Sequence, residues 1–198
     1  TCVGVIPKEE RHPWLFRYCL NEAAESEFMM KYVANILQEK SATILYPNTM
    51  FGQTIFECSS RSMQINGIKM ENDQKTNAIK ALKNNPKLIF ARGFGNSLEV
   101  LLKHIAELGY NGIIVGDAAL TVPSTIKNSG GILNNAYIVE SIFDLKTDNS
   151  IMKSYIEQYK STYGVDASYW DAIGYDSCIL IAEALKRVGS DLNSQSLF

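Results

Sequence analysis

Ala42-Thr43-Ile44-Leu45-Tyr46-Pro47-Asn48-Thr49-Met50-Phe51-Gly52 decides the fold. Its first five residues form an apolar, β-branched run of strand length, and the six that follow favour turns, so a buried strand leaves directly into a loop. Upstream, Phe28, Met29, Tyr32, Val33, Ile36 and Leu37 recur at helical spacing and predict a helix over 26–40. Downstream, a second helix is predicted from about residue 53 to 65, closed by Asn66-Gly67. Helix, strand, loop and helix in this order make the unit from which parallel sheets covered on both faces are built.

The unit then repeats. A short strand over 68–70 precedes a helix over 75–84 that Pro86 ends, and Leu88-Ile89-Phe90-Ala91 is the next strand, with Arg92-Gly93-Phe94-Gly95-Asn96 as its loop. Residues 97–108 carry Leu98, Leu101, Leu102, Ile105 and Leu108 on one stripe before Gly109. Ile113-Ile114-Val115 is a buried-type strand with Gly116-Asp117-Ala118-Ala119 as its exit loop. A weak helix over 123–128, a Gly130-Gly131 turn and the strand Tyr137-Ile138-Val139 close the series. The predicted fold class is α/β, a doubly wound parallel sheet with helices on both faces. From residue 149 two helices follow in succession, 150–163 and 170–188, so the organisation changes near 141–148.

Composition narrows the function. The 198 residues are 46% apolar and 20% charged, which fits a folded globular chain and not a disordered one. Nineteen basic against 21 acidic residues give a net charge of -2, without the basic excess that phosphate-backbone binding needs, so no nucleic acid partner is expected. No apolar run approaches the roughly 18 residues of a membrane span, and residues 1–7 lack the pattern of a secretion signal. Cys2, Cys19, Cys58 and Cys178 show no metal spacing, and a domain of this size needs no covalent staple, so free structural thiols are predicted.

In an open α/β sheet the ligand lies beyond the carboxyl ends of the strands. The exit loops there offer Tyr46, Asn48, Thr49 and Phe51, then Arg92 and Phe94, then Asp117 and Ala118, then Glu140 and Ser141. This aromatic, weakly polar set suits a small molecule stacked on rings. No catalytic pair is legible: His12 and His104 have no partner in sequence, and Gly93-Phe94-Gly95-Asn96 lacks the lysine of a phosphate loop. Neither catalysis, a metal nor a cofactor is implied. Tyr155, Tyr159 and Tyr163, at i, i+4 and i+8, read as a core packing stripe. Arg92 and Asp117 have opposite signs on neighbouring loops. Arg92 is expected in a pair or in solvent at the rim, and Asp117 facing an amine-bearing ligand, with Asp117→Asn leaving stability nearly intact.

Several segments together resemble the type I solute-binding proteins of bacterial ABC importers, in particular the branched-chain amino-acid binding kind. They are Pro13-Trp14-Leu15-Phe16-Arg17, the run 42–46 with Phe51-Gly52, Pro86-Lys87-Leu88-Ile89-Phe90, Gly109-Tyr110-Asn111-Gly112, Tyr155 with Tyr159 and Tyr163-Gly164, and Gly174-Tyr175-Asp176. The resemblance implies two α/β lobes that close on a ligand, with residues 1–17 a crossover segment, 18–141 the second lobe, and 142–198 the crossover and returning helices of a largely missing first lobe. It also implies a ligand site at Phe51, Phe94, Asp117, Ala118, Tyr169 and Trp170, with Ala118 standing where amino-acid binders of the family carry an acid. The function implied is a periplasmic or surface-anchored solute-binding component that delivers a small ligand, amino-acid-like or else aromatic or carboxylate, to an ABC permease. The alternative is the ligand-sensing domain of a receptor or an amide-type regulator.

Overall fold

The structure, a computed structural model, describes residues 16–75, 77–141 and 143–189. Asn21 opens α1 (Glu22–Tyr32): its Oδ1 accepts from the Ala24 N–H at 2.9 Å, and Glu22 and Glu25 place negative charge in the first turn. The helix starts earlier than the apolar spacing predicted because the cap, not an apolar residue, sets its beginning. It continues into a π-helical turn (Val33–Leu37) that ends at Gln38, whose φ is 55°.

Five strands, β1 (Ser41–Tyr46), β2 (Lys69–Lys75), β3 (Leu88–Ala91), β4 (Ile113–Asp117) and β5 (Tyr137–Val139), form one parallel sheet in the order β2-β1-β3-β4-β5. The connections carry α2 (Met50–Ile65), α3 (Ala78–Leu82), α4 (Asn96–Glu107) and α5 (Pro123–Asn128), with 3-10 turns at Ala118–Thr121 and Ile132–Asn135. Strand alternation sorts the core into two layers. Leu45, Ile89, Ala91 and Ile114 pack against Ala78, Ala81, Leu98, Leu101, Leu102 and Ile105 of α3 and α4. Ala42, Ile44, Tyr46, Leu88, Phe90 and Val115 pack against Met29, Met30, Ile55 and Met63 of α1 and α2. Burial of each large apolar side chain contributes about 1.5–3 kcal/mol, so this two-sided burial holds the doubly wound layers together.

At the sheet edge the boundaries differ from the sequence reading. β2 reaches Lys75, well beyond the predicted 68–70, because a Lys-Met-Glu-Asn-Asp-Gln-Lys strand has no apolar signature; it lies at the sheet edge and pairs only with β1. A bulge eases the pairing: Ala42 faces Met70 but Thr43 faces Asn72, leaving Glu71 as the extra residue. The helix expected over 75–84 therefore shrinks to α3, capped by Asn77 Oδ1, which accepts from the Lys80 N–H at 3.0 Å.

The chain divides into two compact units between Glu140 and Ser141. The second contains α6 (Ser150–Tyr163) and α7 (Tyr169–Val188). A reciprocal cap starts α7: Ser168 Oγ accepts from the Asp171 N–H, and Asp171 Oδ2 accepts from the Ser168 N–H at 2.8 Å. Tyr155, Ile156 and Ala167 form a small core with Phe143, Met152, Tyr159 and Ala172 around it. Among the described residues no helix is long and apolar enough to cross a membrane.

The prediction of free cysteines fails at Cys19, which is disulfide-bonded, while Cys58 and Cys178 are free. Phe16, Tyr18 and Leu20 around it are exposed, so burial does little to hold this segment and a covalent tie has something to constrain. The readings placed on Pro13, Trp14 and His12 lie outside the described residues.

Candidate functional site

The strand order reverses between β1 and β3, where the first connection leads to one side and the next to the other. A crevice for a ligand opens at such a switch point, beyond the carboxyl ends of the strands. Here two loops meet. The loop after β1 turns at Pro47 and enters α2, whose first turn is capped by Thr49 Oγ1, accepting from the Gly52 N–H at 3.0 Å. A side chain at Gly52 would put its Cβ 1.8 Å from the Pro47 carbonyl oxygen, so only glycine allows α2 to start this close. The loop after β3 runs from Arg92 to Gly95, which caps α4 at φ 63°. A Cβ on Gly93 would lie 3.4 Å from Pro47 Cδ, which places the two loops side by side.

The side chains at this edge are apolar. Phe94 projects from the second loop with 57% of its surface exposed. Phe51 is half-buried, packed on the core layer of α1 and α2. Met50, at the first position of α2, is 91% exposed at the same edge and escaped the sequence reading, which treated it as part of a turn. The amino-terminal turns of α2 and α4 also lie here, and free N–H groups at helix starts favour a carboxylate.

The charged pair behaves differently from the expected rim pair. Arg92 is fully buried. Continuing the alternation of Leu88 and Phe90 sends its side chain to the α1/α2 face, and Asp117 follows Val115 to the same face as the last residue of β4, not part of a loop. Arg92 Nε donates to Asp117 Oδ2 at 3.0 Å, Nη1 to Ser26 Oγ at 3.0 Å, and Nη2 to Glu22 Oε2 at 2.6 Å and to Glu25 Oε2 at 2.7 Å. Asp117 Oδ1 accepts from the Ala119 N–H at 2.9 Å. Oxygens of Glu22, Glu25 and Asp117 lie within 4.8 Å of one another, a spacing that would suit a cation, but the guanidinium fills that role and we assign no metal ligand there. Ala118 is buried at the start of the 3-10 turn.

Tyr169 and Trp170 belong to the second unit, where their rings meet edge to face with centroids 5.4 Å apart, and Tyr169 Oη lies 3.4 Å from Ser141 Oγ. The reading of the tyrosine row as core holds for Tyr155, with Tyr159 packed against its cluster, but not for Tyr163. Tyr155 is buried, but Tyr163 is 65% exposed, and the row forms one wall of a groove of about 650 Å³ with Trp170, Asp171 and Tyr175. Tyr155 packs on Tyr175 at 4.6 Å between centroids, and Tyr159 on Tyr163 at 4.6 Å.

A family model described as periplasmic binding protein matches residues 2–197. The chain belongs to that family. Among curated protein sequences none matches. The solved structures it resembles include the leucine-binding protein LivK of Thermotoga maritima, at 17% identity and a TM-score of 0.80, covering 90% of this chain and 53% of that one. LivJ of Streptococcus pneumoniae, solved in complex with isoleucine, matches at 17% identity and 0.72, covering 83% and 50%. A solute-binding protein of an ABC transporter from Rhodopseudomonas palustris, in complex with 3,4-dihydroxybenzoic acid, matches at 16% identity and 0.71, covering 89% and 52%. The chain spans about half the length of these structures. The first unit of this periplasmic binding protein thus has the α/β fold of the type I class, as the resemblance in sequence implied.

Proposed function

We propose that this chain is part of an extracytoplasmic solute-binding component of an ABC-type importer, which captures a small amino-acid-like or aromatic carboxylate ligand by lobe closure and hands it to a permease. The observation that carries the reading is the exposed Phe94 at the switch point, beside the starts of α2 and α4. An aromatic face gives the apolar part of a ligand something to stack on, and the helix starts favour its carboxylate. Phe51, Phe94 and Met50 are the ligand-contacting side chains proposed on this unit, and Tyr169 and Trp170 those proposed from the second. On the first unit Asp117 ends β4 and Ala118 opens the following 3-10 turn, both buried, and we give them a supporting and not a contacting role. Family membership supports capture and release without bond chemistry, and the relatives bind leucine, isoleucine, benzoate or dihydroxybenzoate in solved complexes or by their names. A disulfide at Cys19 fits an oxidising, extracytoplasmic compartment.

The test is isothermal calorimetry on the full-length protein with leucine, isoleucine, benzoate and 3,4-dihydroxybenzoate as probes. At least one should bind saturably, and replacing Phe51 and Phe94 together with alanine should weaken it tenfold or more. Unchanged affinity in the double variant removes these rings from the site, and no binding by any probe removes the ligand class.

A further inference from the structure

Two carboxylates share one nitrogen at the buried Arg92. Glu22 Oε2 and Glu25 Oε2 both accept from Nη2, at 2.6 and 2.7 Å, while Asp117 takes Nε. The group places three acids around one guanidinium, with Arg17 the other cation acting on Glu22, so acids outnumber cations in a place where Arg92 and Glu22 are almost wholly out of water. Paired carboxylates in such surroundings do not both ionise readily, because each disfavours the charge on the other and burial disfavours both.

We propose that Glu22 and Glu25 share one proton at neutral pH, making the Arg92 cluster a proton-dependent clamp between the start of α1 and the ends of β3 and β4. The clamp does not depend on which solute binds. Burial pushes the Glu25 carboxyl up to about 7, Arg92 opposes the rise, and Asp117 and Glu22 add to it; Glu22 is raised too, again mainly by burial. The charged and titratable groups facing the pair are Arg92 and Asp117 from the strand ends, Arg17 from the segment before α1, and Cys58 from α2, with Glu57 and Arg61 of α2 acting on Cys58. Of these, Arg92 and Arg17 are the cations acting on Glu22.

The sign follows from linkage. A carboxyl whose folded pKa lies above its unfolded value holds its proton more tightly in the folded chain, so the stability it contributes is present at low pH and is lost as pH rises through about 7. Loss of the proton leaves added negative charge facing Asp117 and loosens the clamp.

The experiment labels the full chain with [¹³Cδ]glutamate and follows the carboxyl resonances from pH 4 to 9, alongside thermal melts of the parent, Glu25→Gln, Glu22→Gln and the exposed-site control Glu157→Gln. One glutamate should titrate near pH 7, and that titration should vanish in Glu25→Gln or Glu22→Gln but persist in Glu157→Gln. The parent should lose several degrees of Tm between pH 5 and 8, and Glu25→Gln, which mimics the protonated group, should lose less than half as much. If every glutamate titrates below about pH 5.5, the shared proton does not exist. The parent titration decides the matter even where a variant fails to fold.

Discussion

Replacing Gly52 by alanine sets two effects of opposite sign against each other. Gly52 lies in the first turn of α2, and in a helix alanine is favoured over glycine by roughly 1 kcal/mol. The new Cβ, however, would sit 1.8 Å from the Pro47 carbonyl oxygen and 2.8 Å from its carbon, both backbone atoms. Real side chains do not come within 3.0 Å, so either the β1 exit loop or the start of α2 must retreat by more than an ångström. That movement strains the Thr49 N–H bond to Pro47 O at 2.9 Å and the Thr49 Oγ1 cap on Gly52 at 3.0 Å. Each bond contributes about 1 kcal/mol, and overpacking adds about 1–3 kcal/mol, so the steric cost exceeds the propensity gain and the net loss is about 2–4 kcal/mol. Thermal denaturation should show Gly52→Ala melting roughly 10 °C below the parent, at the few degrees per kcal/mol usual for domains of this size. Gly67→Ala is the control: its φ is +66° but nothing lies within 4 Å of the added carbon, so it should lose only about 1–2 kcal/mol from the left-handed backbone. A Gly52→Ala variant that melts at or above the parent would falsify the close approach of Pro47 to α2.

Asp117→Asn should lower stability by about 1–2 kcal/mol, more than the near-neutral effect the sequence suggested, because the amide gives Arg92 Nε a weaker acceptor than a carboxylate while Glu22 and Glu25 still pair with the guanidinium; urea denaturation reads this, and an unchanged midpoint refutes the pairing. Ser168→Ala removes one half of the reciprocal cap on α7 and should cost about 1 kcal/mol, seen as faster amide hydrogen exchange at Asp171 than in the parent. Equal exchange would mean that Asp171 alone holds the helix start.

Apolar runs and turn residues made most of the fold legible. β3, β5, α5 and α6 lie where the sequence placed them, because the short apolar strands follow Pro86 or Gly131 and the helices are bounded by Pro123, Asn149 and Gly164. β2 was lost beyond Met70 because edge pairing to β1 needs only backbone groups, and a polar strand with one neighbour leaves no hydrophobic trace. The disulfide at Cys19 escaped for a related reason: spacing among four cysteines does not report which of them come together.

The candidate site was legible in its rings but not in its charges. Placing Arg92 and Asp117 in exit loops set Arg92 at the rim, in a pair or in solvent, and turned Asp117 toward a ligand. The alternation Leu88, Phe90, Arg92 and Ile113, Val115, Asp117 already assigns both to one face of the sheet, and Glu22, Glu25 and Ser26, at i, i+3 and i+4, share one face of α1. Together those two periodicities would have found the cluster. Its geometry also bears on recognition: Arg92 directs Nε, Nη1 and Nη2 to protein acceptors, and Asp117 Oδ1 is engaged by the backbone of Ala119. An ion cluster satisfied in this way acts as scaffold for the loops on either side. The groups it leaves at the switch point are Phe94, Met50 and the helix starts, so under the function proposed above selection among solutes on this unit would work through apolar shape and backbone N–H groups more than through a matching side-chain charge.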